Sequence, residues 1–538
     1  MEPVCLNHNN ACTNVTIQDP QEQEDALPSA QHEAAVLEKL GITYLYPYQR
    51  LVIANVLDAL CNDDAEVIRG QIAILPTGYG KSICFQVPAL MMQGITVIIY
   101  PLKGLIADQA RRLAMCTKPV LCITGDTDQE TWKQFETICA DTADCIILTN
   151  PESLHSDRFA SQIGKAPITH LVIDEAHCVA EWGDTFRPAY ILIKDFIKKY
   201  NPKMVSAFTA TASPPVLERI AFIIFEHIPY KLVMTTTDRP NIYYQKVWSI
   251  NKNKTLNDLV ALCEKPALIF TRSRTGAEIL AHYLRIQLRS KEIYFYHAGL
   301  TAQEKKDVEA WFFSSEQGIL TATCAYGMGM DKKNIRTVIH YDIPDSIEAY
   351  IQEAGRAGRD GELAKAILIA QWQANKHIQT MEISHTNYQP TQTLASLASS
   401  RSAQMLYYSH QDSLCRRNVL LAMMANEPVA CCGCDVCDLH THTHPIELEL
   451  LIAIINAYPY QFSKHELTDF LKGIGNFSHL QGYGVLSAWK LTEIKMFIQE
   501  LLQQGIIIEH SGIRKGIICA SSRYHAYPQL QLPHASLH

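Results

Sequence analysis

From Val36 onward the apolar positions fall into short continuous runs separated by longer stretches of helical period. The runs QIAIL, TVIIY, CIILT, HLVIDE and MVSAFT do not alternate apolar with polar. Such runs mark strands covered on both faces, as in parallel sheets built from βαβ units. The segment 231–254 reads as a crossing strand and linker, and then comes a second series: ALIFT, EIYFYH, GILTAT, TVIHYD and AKAILIA. The pattern predicts an α/β protein with two tandem parallel-sheet lobes, 36–230 and 231–370. Each run ends in Gly, Ser, Thr, Asp or His, at the sheet edge where ligands sit in such folds. Beyond 370 the strand signal stops. Residues 371–440 read as helical with a cysteine knot. Residues 445–538 read as helix, helix, long helix (LSAWKLTEIKMFIQELLQQ) and hairpin (GIIIEHSGIRKGIICA), the pattern of a winged helix.

Composition narrows this picture. The chain has 538 residues, 47% of them hydrophobic and 19% charged, with a net charge of −8. That is globular composition with room for several cores, and it excludes a protein basic all over. Residues 1–35 carry acids but no Lys or Arg, and read as a flexible acidic segment. The sequence MEPVCLNHNN has no secretory signature and no apolar run reaches about 18 residues, so the expected location is cytoplasmic, without a membrane partner. The 17 cysteines then read as reduced thiols, and a tight cluster of them as a metal site.

Three motifs carry chemistry. LPTGYGKS (75–82) lies between a strand run and a helical run. There the backbone N–H groups of Thr77, Gly78 and Gly80 and of the following helix start would cradle phosphates. Lys81 would reach the β- and γ-phosphates, and Ser82 would ligate Mg²⁺. LVIDEAH (171–177) delivers two carboxylates at a strand end: Asp174 to hold Mg²⁺ and Glu175 to orient and deprotonate the attacking water. QEAGRAGRDG (352–361) sets Arg356 and Arg359 three apart, with the planar, permanently charged donors that a transferring phosphate needs.

With YPYQ, NPESL, DEAHCVAEWGDTFRP, FTATAS, YHAGL, ATCAYGMGMDK, CRR and CCGCDVC, these motifs form an ordered series that resembles the RecQ family of DNA helicases over about 36–520. The resemblance implies RecA-like lobes, ATP and Mg²⁺ as nucleotide and cofactor, and 3′-to-5′ unwinding of duplex or forked DNA in repair and recombination. It implies a nucleoid-associated enzyme with single-stranded and forked DNA as partners, and a single-strand DNA-binding protein as a further candidate. It assigns Gln49 to adenine, Gln352 and Asp331 to the nucleotide from the second lobe, and Arg359 as the arginine finger. His177, Thr209, Trp182, Phe186 and Arg187 would couple DNA to hydrolysis. No HRDC domain is expected after Ala526. The chain departs from the family at Tyr46, where stacking on the base replaces an Arg, at Tyr79 in the phosphate loop, and at Asp184 and Thr185 in WGDTFR.

Cys415, Cys431, Cys434 and Cys437 have the spacing of a four-thiolate Zn²⁺ site, with Cys432 left over and the HTHTH stretch read as a linker. Residues 445–538 hold seven Lys/Arg and seven Asp/Glu, so the winged helix is near neutral. Arg514 and Lys515 are its candidate phosphate contacts. Two other readings stay open: an RNA-remodelling ATPase, and a DNA-binding or annealing protein with weak unwinding.

Overall fold

The computed structural model describes residues 13–14, 30–64, 66–76, 78–116, 118–141, 144–164, 166–182, 187–226, 228–327, 332–372, 394–439, 445–511 and 515–521. Thr77, residues 183–186 with Phe186, Asp331, His440–His444 and Arg514 lie outside them.

The first sheet contains β1 (Thr13–Asn14), β2 (Gly70–Ile74), β3 (Ile95–Ile99), β4 (Val120–Ile123), β5 (Cys145–Thr149), β6 (Ile168–Ile173), β7 (Met204–Thr209) and β8 (Tyr230–Met234). All eight run parallel in the order β1-β8-β2-β7-β6-β3-β5-β4. Strands β2, β3, β5 and β7 are buried along their whole length, as continuous apolar runs with helices on both faces require.

The second sheet contains β9 (Ile242–Ser249), β10 (Ala267–Phe270), β11 (Ile293–Tyr296), β12 (Ile319–Ala322), β13 (Thr337–His340) and β14 (Ala364–Gln371), all parallel, in the order β11-β12-β10-β13-β14-β9. All ten apolar runs of the sequence are strands. The segment 231–254 is not one crossing strand. It divides into β8, which joins the first sheet, and β9, which starts the second, because the polar stretch TTTDRPN between them leaves the chain free to change sheets.

Helices Leu394–His410 and Arg416–Met423 precede the cysteine knot. After it come helices Ile446–Ala457, Lys464–Lys472 and Leu491–Gln503, then the antiparallel pair β15 (Ile507–Glu509) and β16 (Ile518–Ala520). These are the elements a winged helix needs. The third helix is shorter than expected: Lys490 is its N-cap, and the Glu493 side chain accepts from the Lys490 N–H at 2.8 Å, so LSAWK stays outside. One apolar cluster joins this unit to the second sheet, with Trp248 and Trp372 packed among Leu448, Leu451, Phe470 and Trp489.

Candidate active site between the two sheets

Strand order builds the site. Because β2, β7 and β6 are neighbours, the phosphate loop, the FTATAS stretch and DEAH leave the same edge of the sheet side by side. Helix Lys81–Met91 starts directly at the loop, with Gly80 as its N-cap at φ +71°, a conformation that favours glycine. Lys81 Nζ lies 3.3 Å from Glu175 Oε1. Glu175 itself is left-handed at φ +49°, an uncommon and costly state for a residue with a Cβ, of the kind concentrated at functional sites. Its N–H donates to Asp174 Oδ1 at 2.9 Å, which fixes the two carboxylates relative to each other.

Electrostatics separate the pair. Burial, and then the charge of Glu175, push Asp174 up to about 7. Burial would raise Glu175 as well, but Lys81, His177 and Arg356 together hold it below the usual carboxylate range. Two oxygen donors, the Ser82 hydroxyl and the Asp174 carboxylate, fit a hard cation such as Mg²⁺, whose charge would offset the crowding of anions at Asp174.

From the carboxylates a series of close polar contacts crosses to the second sheet, hydrogen-bonded from His177 onward. Glu175 Oε2 is 3.4 Å from His177 Nδ1, which is 3.0 Å from Thr209 Oγ1. The Thr209 hydroxyl donates to the Thr211 carbonyl at 2.9 Å, and Gln352 Nε2 donates to Thr211 Oγ1 at 2.8 Å. Gln352 lies on helix Ile347–Ala354, which is capped by Ser346 accepting from the Ala349 N–H. Arg356 comes just after that helix and is buried, its guanidinium pushed down to about 10 by burial and by Arg359. Arg359 is half-buried beside it.

A second bridge was not foreseen from the sequence. The Ser213 hydroxyl donates to Glu348 Oε1, and Arg401 Nε sits 3.2 Å from Glu348 Oε2. Thr211 and Ser213 lie within the FTATAS stretch, and Glu348 precedes Gln352 by one helical turn, so those three had a signal. Arg401 had none.

Other expected residues take different places. Gln49 donates from Nε2 to the Tyr79 carbonyl at 3.1 Å and accepts from the Tyr46 N–H at 2.9 Å. Arg187 grips Glu152 with both arms of its guanidinium, at 2.8 and 2.6 Å, and also donates to the Pro101 carbonyl. It therefore anchors the chain after DEAH to the first lobe. Trp182 is the last residue of helix His177–Trp182. Lys515 is exposed next to β16.

The sulfurs of Cys415, Cys431, Cys434 and Cys437 all lie within 4.8 Å of one another, a convergent donor set suited to tetrahedral Zn²⁺. Cys432 is exposed and outside the cluster. The arginines of CRR hold the knot in two ways: Arg416 pairs with the buried Asp435 inside it, and Arg417 fastens it to the second lobe through Asp238 and the Ile242 carbonyl. Among the described residues, no helix is long and apolar enough to cross a membrane.

The family model of the DEAD/DEAH box helicases matches residues 46–220, and that of the helicase conserved C-terminal domain matches 251–361. Fold and site thus define a two-lobed helicase core. The ATP-dependent DNA helicase RecQ of Bacillus subtilis (strain 168) is 32% identical over 460 residues, spanning 83% of this chain and 76% of the relative. RecQ of Pasteurella multocida (strain Pm70) is 29% identical over 451 residues, 82% and 70% of the two chains. The chain belongs to the RecQ family of ATP-dependent DNA helicases. Among solved structures, the DUF1998 helicase MrfA bound to DNA and AMPPNP aligns with a TM-score of 0.52 at 17% identity, over 94% of this chain and 63% of that one. The DEAD-box helicase Mss116 bound to ssRNA and UDP-BeF aligns with the same TM-score of 0.52 at 17% identity, over 64% of this chain and 73% of that one. At that identity both likenesses concern the fold alone.

Proposed function

We propose that the chain hydrolyses ATP between its two lobes and uses the cycle to unwind duplex or forked DNA, moving 3′ to 5′ on one strand, in DNA repair and recombination at the nucleoid. The observation that carries this reading is the series of polar contacts from Glu175, 3.4 Å from His177, through the hydrogen-bonded His177, Thr209 and Thr211 to Gln352. It joins the water-activating carboxylate of one lobe to the helix that carries the arginines of the other, so lobe closure and the geometry of hydrolysis change together.

In this reading Lys81 holds the β- and γ-phosphates, and Thr77, Gly78 and Gly80 line them. Ser82 and Asp174 hold Mg²⁺, which when bound neutralises charge developing on the transferred phosphate. Glu175, kept anionic by Lys81 and His177, orients and deprotonates the attacking water. Arg356 and Arg359 complete the site from the second lobe, with Arg359 as the finger, and Asp331 faces the nucleotide. His177, Thr209, Trp182 and Phe186 relay DNA occupancy. The four thiolates hold one structural Zn²⁺, and 445–538 forms a winged helix that engages the duplex through Arg514 and Lys515. Single-stranded and forked DNA are the partners, with single-strand DNA-binding protein as a further one. Polarity and pathway rest on family membership.

The test is an unwinding assay on forks of DNA and of RNA with either a 3′ or a 5′ tail. The expected result is ATP-dependent opening of the 3′-tailed DNA fork. Equal opening of the RNA fork, or annealing with no opening, would transfer the assignment to one of the two alternative readings.

A further inference from the structure

The arginines of the second lobe sit on a loop whose backbone is gripped by side chains with no role so far. Helix Ile347–Ala354 ends with Gly355 as its C-cap, and carbonyls around a helix end lack the partners an interior turn supplies. Arg239 supplies them here. Its Nη1 donates to the Gly355 carbonyl at 2.9 Å, and its Nη2 to the Ala357 and Gly358 carbonyls at 3.0 and 2.9 Å. Asn241 Nδ2 donates to the Gly358 and Glu362 carbonyls, both at 2.8 Å. Gly358 is left-handed at φ +54°, and a Cβ there would stand 2.5 Å from the Glu362 carbonyl oxygen and 2.6 Å from Asn241 Nδ2. Only glycine lets the clamp come so close. The gripped peptides bracket Arg356 and lead directly into Arg359.

The clamp is itself held from the other side. Arg239 and Asn241 belong to DRPNI (238–242), the end of the linker between β8 and β9. The Ile242 N–H donates to the Arg239 carbonyl at 3.0 Å, closing a turn with Pro240 at its second position, where the fixed φ of proline fits. The same carbonyl accepts from Arg417 Nη1 at 2.9 Å, and Asp238 accepts from Arg417 as well. One residue earlier, the Thr237 N–H and hydroxyl both donate to Asn426 Oδ1 at 2.8 Å. Burial pushes the Arg239 guanidinium below its ordinary value, and the nearby charge of Arg359 adds to the shift. That arrangement is costly for two cations, and the three carbonyls offset it.

We infer that Arg239, with Asn241, is the positioning residue of the arginine finger: its fork fixes the peptides on which Arg359 is mounted, and so the direction from which Arg359 meets the transferring phosphate. A guanidinium can hold three carbonyls in one plane-directed pattern, whereas a lysine ammonium is a point charge on a flexible stem. The inference rests on the finger role proposed above and names what sets the geometry of that finger.

The test is a double-mutant cycle on DNA-stimulated ATP hydrolysis by the full chain. Arg239→Lys keeps the charge and loses the fork. It should lower kcat by about 30- to 100-fold with KM for ATP within about threefold, as expected for a misplaced group that acts on the transition state. The melting temperature should move by no more than a few degrees. In an Arg359→Ala background the same change should cost no more than about threefold further, because the finger it positions is already gone. Asn241→Ala leaves all three bonds of Arg239 in place and should show the same split at about fivefold, so it runs the same cycle if Arg239→Lys does not fold. Turnover near that of the wild type in Arg239→Lys would overturn the inference, since charge alone would then suffice. So would losses that add in full to that of Arg359→Ala, or a fall in kcat, a rise in KM and a large drop in melting temperature together, which mark a residue of the fold. Unchanged turnover in Arg359→Ala itself would overturn the finger assignment, and this inference with it.

Discussion

The edge of the first sheet and the cysteine knot hold their functional side chains in opposite ways. At the sheet edge, Lys81, Asp174 and Thr209 are carried by three neighbouring strands of an apolar core that includes Ile72, Val97, Ile147, Leu171 and Val205. That core stands without them. The knot also touches an apolar cluster, with Cys434 among Tyr244, Val419, Leu420 and Met424, but charge is built into it. Its four sulfurs are framed by buried charges, Arg416 on Asp435 and Lys246 on Asp412, and Asp435 also accepts from the Lys246 N–H at 2.9 Å. Gly433, at φ +141°, brings the loop so close that a Cβ would stand 2.9 Å from the Tyr243 ring. In the proposed reading the charges of the first region serve chemistry, so it should lose one and stay folded. In the second, buried ion pairs and the four sulfurs are set into the packing itself, so a change to them changes stability as well.

The largest effect should come from breaking the knot. Cys434 is fully buried in the donor set. Cys434→Ser should abolish stoichiometric zinc, measured by metal analysis, and lower the melting temperature, since the binding energy of a structural zinc, on the order of 10 kcal/mol, is energy of folding. Fully folded, active protein with no zinc in the wild type would remove the contrast. Lys81→Ala should do the reverse. Hydrolysis and unwinding should be abolished, while the melting temperature moves little and single-strand binding persists. Calorimetry and fluorescence anisotropy on the same sample check both. A large drop in melting temperature would mean the sheet edge is as dependent on its charges as the knot.

A pH experiment sharpens the comparison within the first lobe. His170 is fully buried on β6, 2.8 Å from the Ser206 hydroxyl, and burial pushes it down to about 3. The folded state keeps it neutral, whereas the unfolded chain takes up a proton below about pH 6.5. Stability is therefore whole above that pH and should decline by about 1.4 kcal/mol per unit as pH falls towards 3. In zinc-loaded samples compared at pH 7.5 and 5.5, His170→Gln should show a shallower loss than the wild type. Parallel curves would mean that His170 does not set the acid limit.

Most of the fold was legible because largely buried parallel strands write themselves as apolar runs, and all ten such runs became strands. β4 was missed because VLCI is short and only alternately buried. β8 was not separated from β9, because YKLVM is mostly half-buried and merges in sequence with the polar linker that leads to β9. In the site, Lys81, Asp174, Glu175, His177, Thr209, Gln352 and Arg356 were legible because each sits at a fixed place in a local motif. The hidden features depend on contacts between segments far apart: the inward turn of Gln49, the commitment of Arg187 to Glu152, and Arg401 on Glu348.

That last contact allows the finest test of the contrast, because it joins the two kinds of region. Glu348 is 1% exposed and receives the Ser213 hydroxyl from the first lobe and Arg401 from the helix that leads to the knot. Arg401 also donates to Ser346 Oγ, the cap of the helix bearing Gln352, at 2.9 Å. Burial alone would raise Glu348, but Arg401 and then Ser213 hold it below the usual range, so the carboxylate is charged and both contacts are charge-assisted. A hydrogen bond to a charged group contributes about 1.5–3 kcal/mol. Ser213→Ala removes only the bond between the lobes and leaves Arg401 in place. If the strut favours closure, the variant should keep its zinc and its melting temperature within a few degrees, while KM for ATP rises and DNA-stimulated turnover falls, by about tenfold in kcat/KM. Glu348→Gln, which weakens both arms, should add a fall in melting temperature. Unchanged kinetics in Ser213→Ala, with a lower melting temperature in both variants, would make the strut part of the fold alone, and would return the coupling between lobes entirely to the chain from Glu175 to Gln352.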